Sequence, residues 1–240
     1  MKLLLCKTYE EISKKAAEII AELVKSNPNC TLGLATGSTP IGMYSELIKK
    51  HQGGELDFSG VTTFNLDEYY PISPKNEQSY RYFMNENLFS KINVDEKNIN
   101  IPRGDAEDPA KECEEYEKKL ADHGAVDIQV LGIGQNGHIG FNEPDEYLFA
   151  STHITDLTES TIKANSRFFE SKDDVPTKAL TMGMGTILGA KKIILLANGK
   201  SKHDAIKALL DDRITTDIPA TFLKLHSDVI LICDEEAYYG

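Results

Sequence analysis

The chain has 240 residues, 40% hydrophobic and 27% charged, which suits one large α/β core, and no apolar run is long enough to cross a bilayer. Its 38 acidic and 26 basic residues leave a formal net charge of −12, which argues against nucleic acid or an anionic membrane surface as partner. Four scattered cysteines without a C-x-x-C pair, and a leading Met1-Lys2-Leu3-Leu4-Leu5-Cys6 run cut short by Lys7, point to a cytoplasmic, disulfide-free protein with no zinc framework and no signal peptide.

Apolar strands alternate with helical periodicity from one end to the other. A strand over 3–6 is followed by a helix over 9–25, and a second strand over 31–35 ends in Thr36-Gly37-Ser38-Thr39-Pro40. Free N–H groups at the start of a helix opened by Pro40, together with two hydroxyls, suit an anion, while a plain N-cap by Ser38 or Thr39 accounts for the same residues. The loop lacks the G-K-[ST] ending of a nucleotide P-loop, so a single phosphate fits it better than a triphosphate. A helix is predicted over 42–50 and a strand over 61–66, after which comes a loop, Asn65-Leu66-Asp67-Glu68-Tyr69-Tyr70-Pro71. An acidic pair at the end of a buried strand is uncommon unless the carboxylates accept hydrogen bonds or do chemistry, though Asp67 could simply cap the next turn. Helices follow over 79–88 and 109–122; in the second, Glu112, Glu114, Glu115 and Glu117 alternate with lysines as a solvated face would.

The strand over 128–133 leads into Gly134-Gln135-Asn136-Gly137-His138-Ile139-Gly140-Phe141-Asn142-Glu143-Pro144. Residues from Gly132 onward spell G-x-G-x-x-G, but a dinucleotide fingerprint needs its last glycine to open a helix, and Phe141-Asn142-Glu143-Pro144 is a poor helix opening. The glycines instead leave room for a ligand beside His138, and Glu143 could fix the imidazole tautomer or share its proton. His51, His123, His153, His203 and His226 lack such a setting and read as structural or surface residues. The stretch 158–177, with Arg167 and two phenylalanines, reads as an amphipathic lid. Strands over 193–197 and 229–233 enclose a last helix over 202–210. The expected architecture is one domain spanning 1–240, a three-layer α/β/α arrangement with a mostly parallel, Rossmann-like central sheet whose ligand sits beyond the carboxyl ends of the strands.

Taken together, Thr36-Gly37-Ser38-Thr39-Pro40, Asn65-Leu66-Asp67-Glu68-Tyr69 and the run from Gly134 to Pro144 resemble the glucosamine-6-phosphate deaminase family over nearly the whole chain. The related 6-phosphogluconolactonases share a Gly-His in the third loop but not the Phe-Asn-Glu-Pro after it, and a lactonase of that kind is the alternative. The resemblance implies that D-glucosamine 6-phosphate and water become D-fructose 6-phosphate and ammonia, without metal or organic cofactor. It also implies roles: His138 opens the pyranose ring, Asn136 and Glu143 form its supporting relay, and Asp67 moves the C2 proton to C1. Phosphate falls to Thr36, Gly37, Ser38 and Thr39 with Arg167 and Lys202, the latter preferred over Lys200 by a Gly-x-x-Lys spacing. Some members carry Asp where this chain has Asn136, which leaves Glu143 as the relay's carboxylate. The family includes longer hexamers activated by N-acetylglucosamine 6-phosphate and shorter chains that are not; the close of this one at Gly240 suggests a monomer of the short kind.

Overall fold

Alternate residues of the central strands go to opposite faces of one sheet, and that division sets the three layers. The computed structural model describes residues 1–158, 162 and 175–240. In chain order the strands are β1 Lys2–Cys6, β2 Thr31–Leu34, β3 Thr62–Asn65, β4 Asp67–Tyr70, β5 Ile99–Asn100, β6 Ile128–Gly132, β7 His153–Asp156, β8 Lys178–Thr181, β9 Ile193–Ala197 and β10 Val229–Asp234. The helices are α1 Tyr9–Ser26, α2 Ile41–Gln52, α3 Tyr80–Asn87, α4 Pro109–His123, α5 Met184–Leu188, α6 His203–Leu210 and α7 Glu235–Tyr239. A seven-stranded sheet runs β1-β10-β9-β6-β2-β3-β5, with every pairing parallel.

Along β10, Ile230 and Ile232 join the core beneath α1 and α2, whereas Val229, Leu231 and Cys233 join the core on the other face. β9 repeats the pattern, Ile194 and Leu196 against Ile193, Leu195 and Ala197. Helices α1, α2 and α3 close the first face, and α4, α5, α6 and α7 the second. The expected three-layer fold with a parallel central sheet is therefore found, and the five predicted helices agree with α1, α2, α3, α4 and α6 to within a residue or two.

Three features depart from expectation. Asp67 and Glu68 are not in a loop: they begin β4, which pairs antiparallel with β8, itself antiparallel to β7, in a second, three-stranded sheet. Two adjacent carboxylates conceal a strand from propensity reasoning, because tertiary burial rather than local preference keeps Asp67-Glu68-Tyr69-Tyr70 extended. β5 is two residues long, too short for any periodicity to show. On α4 the acidic face is not uniformly solvated: Glu112 is buried against Arg103, and Glu117 Oε1 accepts from Thr152 N, Thr152 Oγ1 and Thr186 Oγ1. The four cysteines are buried and unpaired, and among the described residues no helix is long and apolar enough to cross a membrane.

The chain places β3 and β5 on one side of β2 and β6 on the other, so the order in which strands are added reverses between β2 and β6 while all stay parallel. Loops beyond the carboxyl ends of these two strands flank a crevice, the place where such sheets bind ligands. The β2 loop is braced from below. Tyr9 Oη on α1 donates to the Ser38 and Thr39 carbonyls and accepts Gly42 N–H at 2.8 Å, standing in for a side-chain cap at the start of α2.

Gly42 makes this approach possible, since a Cβ there would lie 2.1 Å from Ser13 Oγ and 3.0 Å from Tyr9 Oη. Ser13 is buried and its hydroxyl is tied to Tyr9 O, so it cannot yield. Gly42→Ala is expected to destabilise the fold by about 1–3 kcal/mol through overpacking, outweighing the ~1 kcal/mol that alanine gains in helix propensity. A urea midpoint at or above that of the parent chain would contradict it.

Candidate active site

One cleft of about 570 Å³ opens at the crevice between β2 and β6. Thr36, Gly37, Ser38 and Thr39 line one part of it, Asp67 another, Asn136, His138 and Glu143 a third, and Lys202 a fourth. Sequence reasoning named all of these. Arg167 and most of the expected lid at 158–177 lie outside the described residues.

The loop after β6 is held in shape at several points. Gly134 N–H donates to His138 O and Gly137 N–H to Gly134 O, and Gly137 O accepts Ala220 N–H, so the turn is pinned to the following 3-10 segment, Pro219–Leu225. Gly137 has φ +81°, which disfavours any side chain. A Cβ on Gly134 would meet the His138 ring at 2.4–2.6 Å, so this glycine is what lets the imidazole lie across its own loop. No helix follows, in keeping with the rejection of the dinucleotide reading. Asn142 Nδ2 donates to Ile139 O and Met182 O, and Phe141 N–H donates to Thr181 Oγ1, which fastens the Phe-Asn-Glu segment to the end of β8.

Within this frame Glu143 Oε2 receives two donors, Asn136 Nδ2 at 2.7 Å and His138 Nδ1 at 3.1 Å. Asn136 Oδ1 in turn accepts the His138 backbone N–H at 3.2 Å. With its Nδ1–H directed at the carboxylate, the imidazole presents Nε2 as the basic nitrogen. The Glu143 side chain is 13% exposed and the His138 side chain 31%, so the relay runs from the protein interior to the cleft.

Asp67 sits on the first position of β4, opposite Thr181 of β8, and is buried. Burial, and next the charge of adjacent Glu68, hold its carboxyl well above the usual carboxylate range. A Cβ on Gly140 would lie 3.3 Å from Asp67 Oδ2 and 2.9 Å from Thr181 Oγ1, so the His138 loop passes directly against the carboxylate. Tyr80, Tyr69 and Phe141 form an aromatic wall on the same side: Tyr80 and Phe141 stack 6.1 Å apart at 7°, and Tyr69 tilts against Tyr80 at 4.7 Å. Burial, with Tyr69 and Asp67 nearby, raises the Tyr80 phenol well above its ordinary value, against a smaller opposing pull from Thr36. Tyr80 lines the cleft and was missed from sequence, because it is 13 residues from Asp67 and carries no motif of its own.

At the other end, Lys202 is half-buried and pairs with no carboxylate among the described residues; burial lowers its proton affinity, as expected of an ammonium awaiting an anion. Lys200 is exposed and lies off the cleft. Two tethers hold the Lys202 segment. Asp234 accepts Gly199 N–H with both oxygens, and Asn198 Oδ1 accepts Thr39 Oγ1 at 3.0 Å, tying the β2 and β9 loops together. Thr39 therefore serves its neighbouring loop through its hydroxyl, and neither Ser38 nor Thr39 caps α2 through a side chain. Four of the five other histidines are engaged with carbonyls or a hydroxyl, and none lines the cleft.

The family "Glucosamine-6-phosphate isomerases/6-phosphogluconolactonase" matches residues 7–231. A glucosamine-6-phosphate deaminase of Clostridium perfringens is 57% identical over 237 residues, 99% of this chain and 98% of that one. The solved structure of a monomeric glucosamine-6-phosphate deaminase superposes with a TM-score of 0.95 at 49% identity, covering 99% of this chain and 98% of the other. A 6-phosphogluconolactonase from Trypanosoma cruzi has the same fold, with a TM-score of 0.80 at 22% identity over 98% of this chain and 95% of its own. The chain belongs to the family of glucosamine-6-phosphate isomerases and 6-phosphogluconolactonases.

Proposed function

We infer that this chain is a glucosamine-6-phosphate deaminase, converting D-glucosamine 6-phosphate and water to D-fructose 6-phosphate and ammonia. What carries the reading beyond the similarity is that the cleft has two separate bases: an imidazole held by a carboxylate, and a buried carboxylate with raised proton affinity. Lactone hydrolysis requires one base to activate water. Ring opening followed by an aldose–ketose shift requires proton exchange at oxygen and then at carbon, for which two bases of different character are suited.

In this mechanism Lys202 and the loop from Thr36 to Thr39 hold the phosphate, with Arg167 contributing by resemblance. His138 Nε2 takes the proton of the anomeric hydroxyl, the ring C–O bond breaks as C1 becomes the aldehyde carbonyl, and the imidazolium gives that proton to the departing ring oxygen; Glu143 stabilises the imidazolium and Asn136 keeps Glu143 in place. Asp67 then removes the C2 proton, the electron pair forming the C1–C2 double bond of an enolamine as the C1 oxygen takes a proton from solvent, and returns the proton to C1 as the nitrogen lone pair forms the C2=N bond. The resulting C2 imine adds water and expels ammonia. The aromatic wall of Tyr69, Tyr80 and Phe141 limits water around Asp67, which keeps the carboxylate basic. The protein acts as a monomer, by analogy with the monomeric structure it resembles.

Purified protein is expected to release ammonia from glucosamine 6-phosphate and to produce no acid from 6-phosphogluconolactone; the opposite pattern would select the lactonase. Asp67→Asn should lower kcat about 10²–10⁴-fold, the usual contribution of a general base, and suppress loss of deuterium from substrate labelled at C2.

Lys202→Gln should raise KM about 10- to 100-fold with a smaller effect on kcat, since a charged hydrogen bond to phosphate is worth about 1.5–3 kcal/mol and the phosphate stays bound throughout. Equal KM values in the two proteins would remove Lys202 from the site.

Asn136→Asp places a second carboxylate beside Glu143 and strengthens the hold of His138 on a proton, so the acidic limb of the pH–rate profile should move to higher pH. A profile superimposable on that of the parent chain would refute this.

A further inference from the structure

Glu68 is a buried carboxylate that the mechanism above does not use. It is 2% exposed, yet it follows Asp67 directly on β4 and faces away from the cleft, lining a second cavity of about 320 Å³ with Arg81 and Arg103. Its carboxylate collects three backbone donors: Oε1 accepts Tyr69 N–H at 2.9 Å and Tyr80 N–H at 2.8 Å, and Oε2 accepts Arg81 N–H at 2.9 Å. Tyr80 and Arg81 are the first two residues of α3, whose next amide, Tyr82 N–H, goes to the Ser79 hydroxyl. Ser79 and Glu68 thus divide the unpaired amides of the first turn. A helix cap alone needs only a small polar side chain, as Ser79 shows.

Two consequences meet at the cleft. Tyr80 has its amide on Glu68 and its ring in the wall beside Asp67, so the same contact that docks α3 onto β4 sets where that ring lies. Glu68 also places a negative charge one residue from a carboxylate in a low-dielectric setting, where a like charge strengthens the neighbour's hold on a proton. We propose that Glu68 is a positioning residue for the isomerisation: by docking the first turn of α3 it seats Tyr80 beside Asp67, and it sets a second carboxylate next to that base. This rests on Asp67 being the base at C2.

The other groups facing the pair do not supply this effect. The phenols of Tyr44 on α2, Tyr80 on α3 and Tyr116 on α4 are all raised by burial and stay neutral. Arg81 and Arg103 lie on the Glu68 side; burial pushes the Glu68 carboxyl up to about 7 against the pull of its three N–H donors and Arg81, so it carries its charge above that pH, while Asp105 lies at the rim of the second cavity. His138 and Glu143 share the cleft with Asp67 as a pair joined to each other.

Glu68→Gln keeps the size and one acceptor but removes the charge. Asp67 must be ionised to accept the C2 proton, and without Glu68 its proton affinity falls. The acidic limb of kcat should therefore move to lower pH by about half a unit or more, and the plateau of kcat should drop with KM changed less than about threefold. A limb that stays in place, whatever the loss of stability, overturns the proposal and leaves Glu68 a helix cap. If Glu68→Gln does not fold, Tyr80→Phe decides: a reduced kcat at near-parent KM supports the seating of Tyr80, and a parent kcat overturns it. Asp67→Asn, followed by loss of deuterium from C2, tests the underlying base assignment separately, because persistent C2 exchange in that variant would refute the role of Asp67 itself.

Discussion

Burial of the Asp67 carboxylate at the seam between the two sheets is the constraint on which the site depends. Seen from the sheet, Asp67 is the point where the chain leaves parallel β3 and enters antiparallel β4, after Leu66 N–H has bonded Leu34 O and Leu66 O has accepted Met182 N–H. Those two bonds join the central sheet to the small one and leave no freedom for Asp67 to move toward solvent. A carboxylate so placed is costly in its ionised form, and the surrounding structure must over-determine its position for the site to persist. Gly140 passing against Oδ2, Thr181 opposite on β8 and the Tyr69–Tyr80–Phe141 wall do this from three sides.

A second constraint is charge. A chain with a formal charge of −12 repels a sugar phosphate at a distance, so binding depends on a short-range arrangement. The described part of that arrangement rests on tethers rather than on many cations: Tyr9 holds the β2 loop, Asp234 holds Gly199, and the Thr39–Asn198 bond fixes the distance between the two loops. Lys202 is kept half-desolvated in the cleft with no carboxylate partner among the described residues, so no ion pair within the described chain competes for its charge. Local preorganisation thus offsets the global field.

How much of this could be read from sequence follows from where the determinants lie. The parallel strands announced themselves because burial on both faces makes near-continuous apolar runs such as Ile193-Ile194-Leu195-Leu196-Ala197. His138 and Glu143 were legible because five residues and a run of glycines are enough to bring them together. Asp67 was found as a residue but mistaken for part of a loop, since the strand it begins exists only through pairing with β8, more than a hundred residues away in the chain. Tyr80 was not found at all: its place in the cleft is set by Glu68 across the start of α3, a contact that no local pattern encodes. Glu112 and Glu117 were read as solvated because charge alternation on a helix gives no sign of the Arg103, Thr152 and Thr186 groups that meet them.

The Gly134–Pro144 loop joins these themes. Its glycines serve separate geometric needs: Gly134 clears space for the imidazole of its own loop, Gly137 turns the backbone with positive φ, and Gly140 allows close approach to Asp67. Two of the three glycines that spell the nucleotide-like signature, Gly134 and Gly137, therefore answer unrelated steric demands, each fixed by a different neighbour. The same loop carries His138 and presses on Asp67, so the two side chains cannot be moved independently. Because Asn136 touches both the backbone of His138 and the carboxylate of Glu143, a neutral amide there can keep the imidazole oriented without adding a third carboxylate to a cleft that already holds Asp67 and Glu143. In a protein whose substrate is an anion, that choice limits repulsion where the sugar must bind, while Glu143 alone supplies the charge that the imidazolium needs.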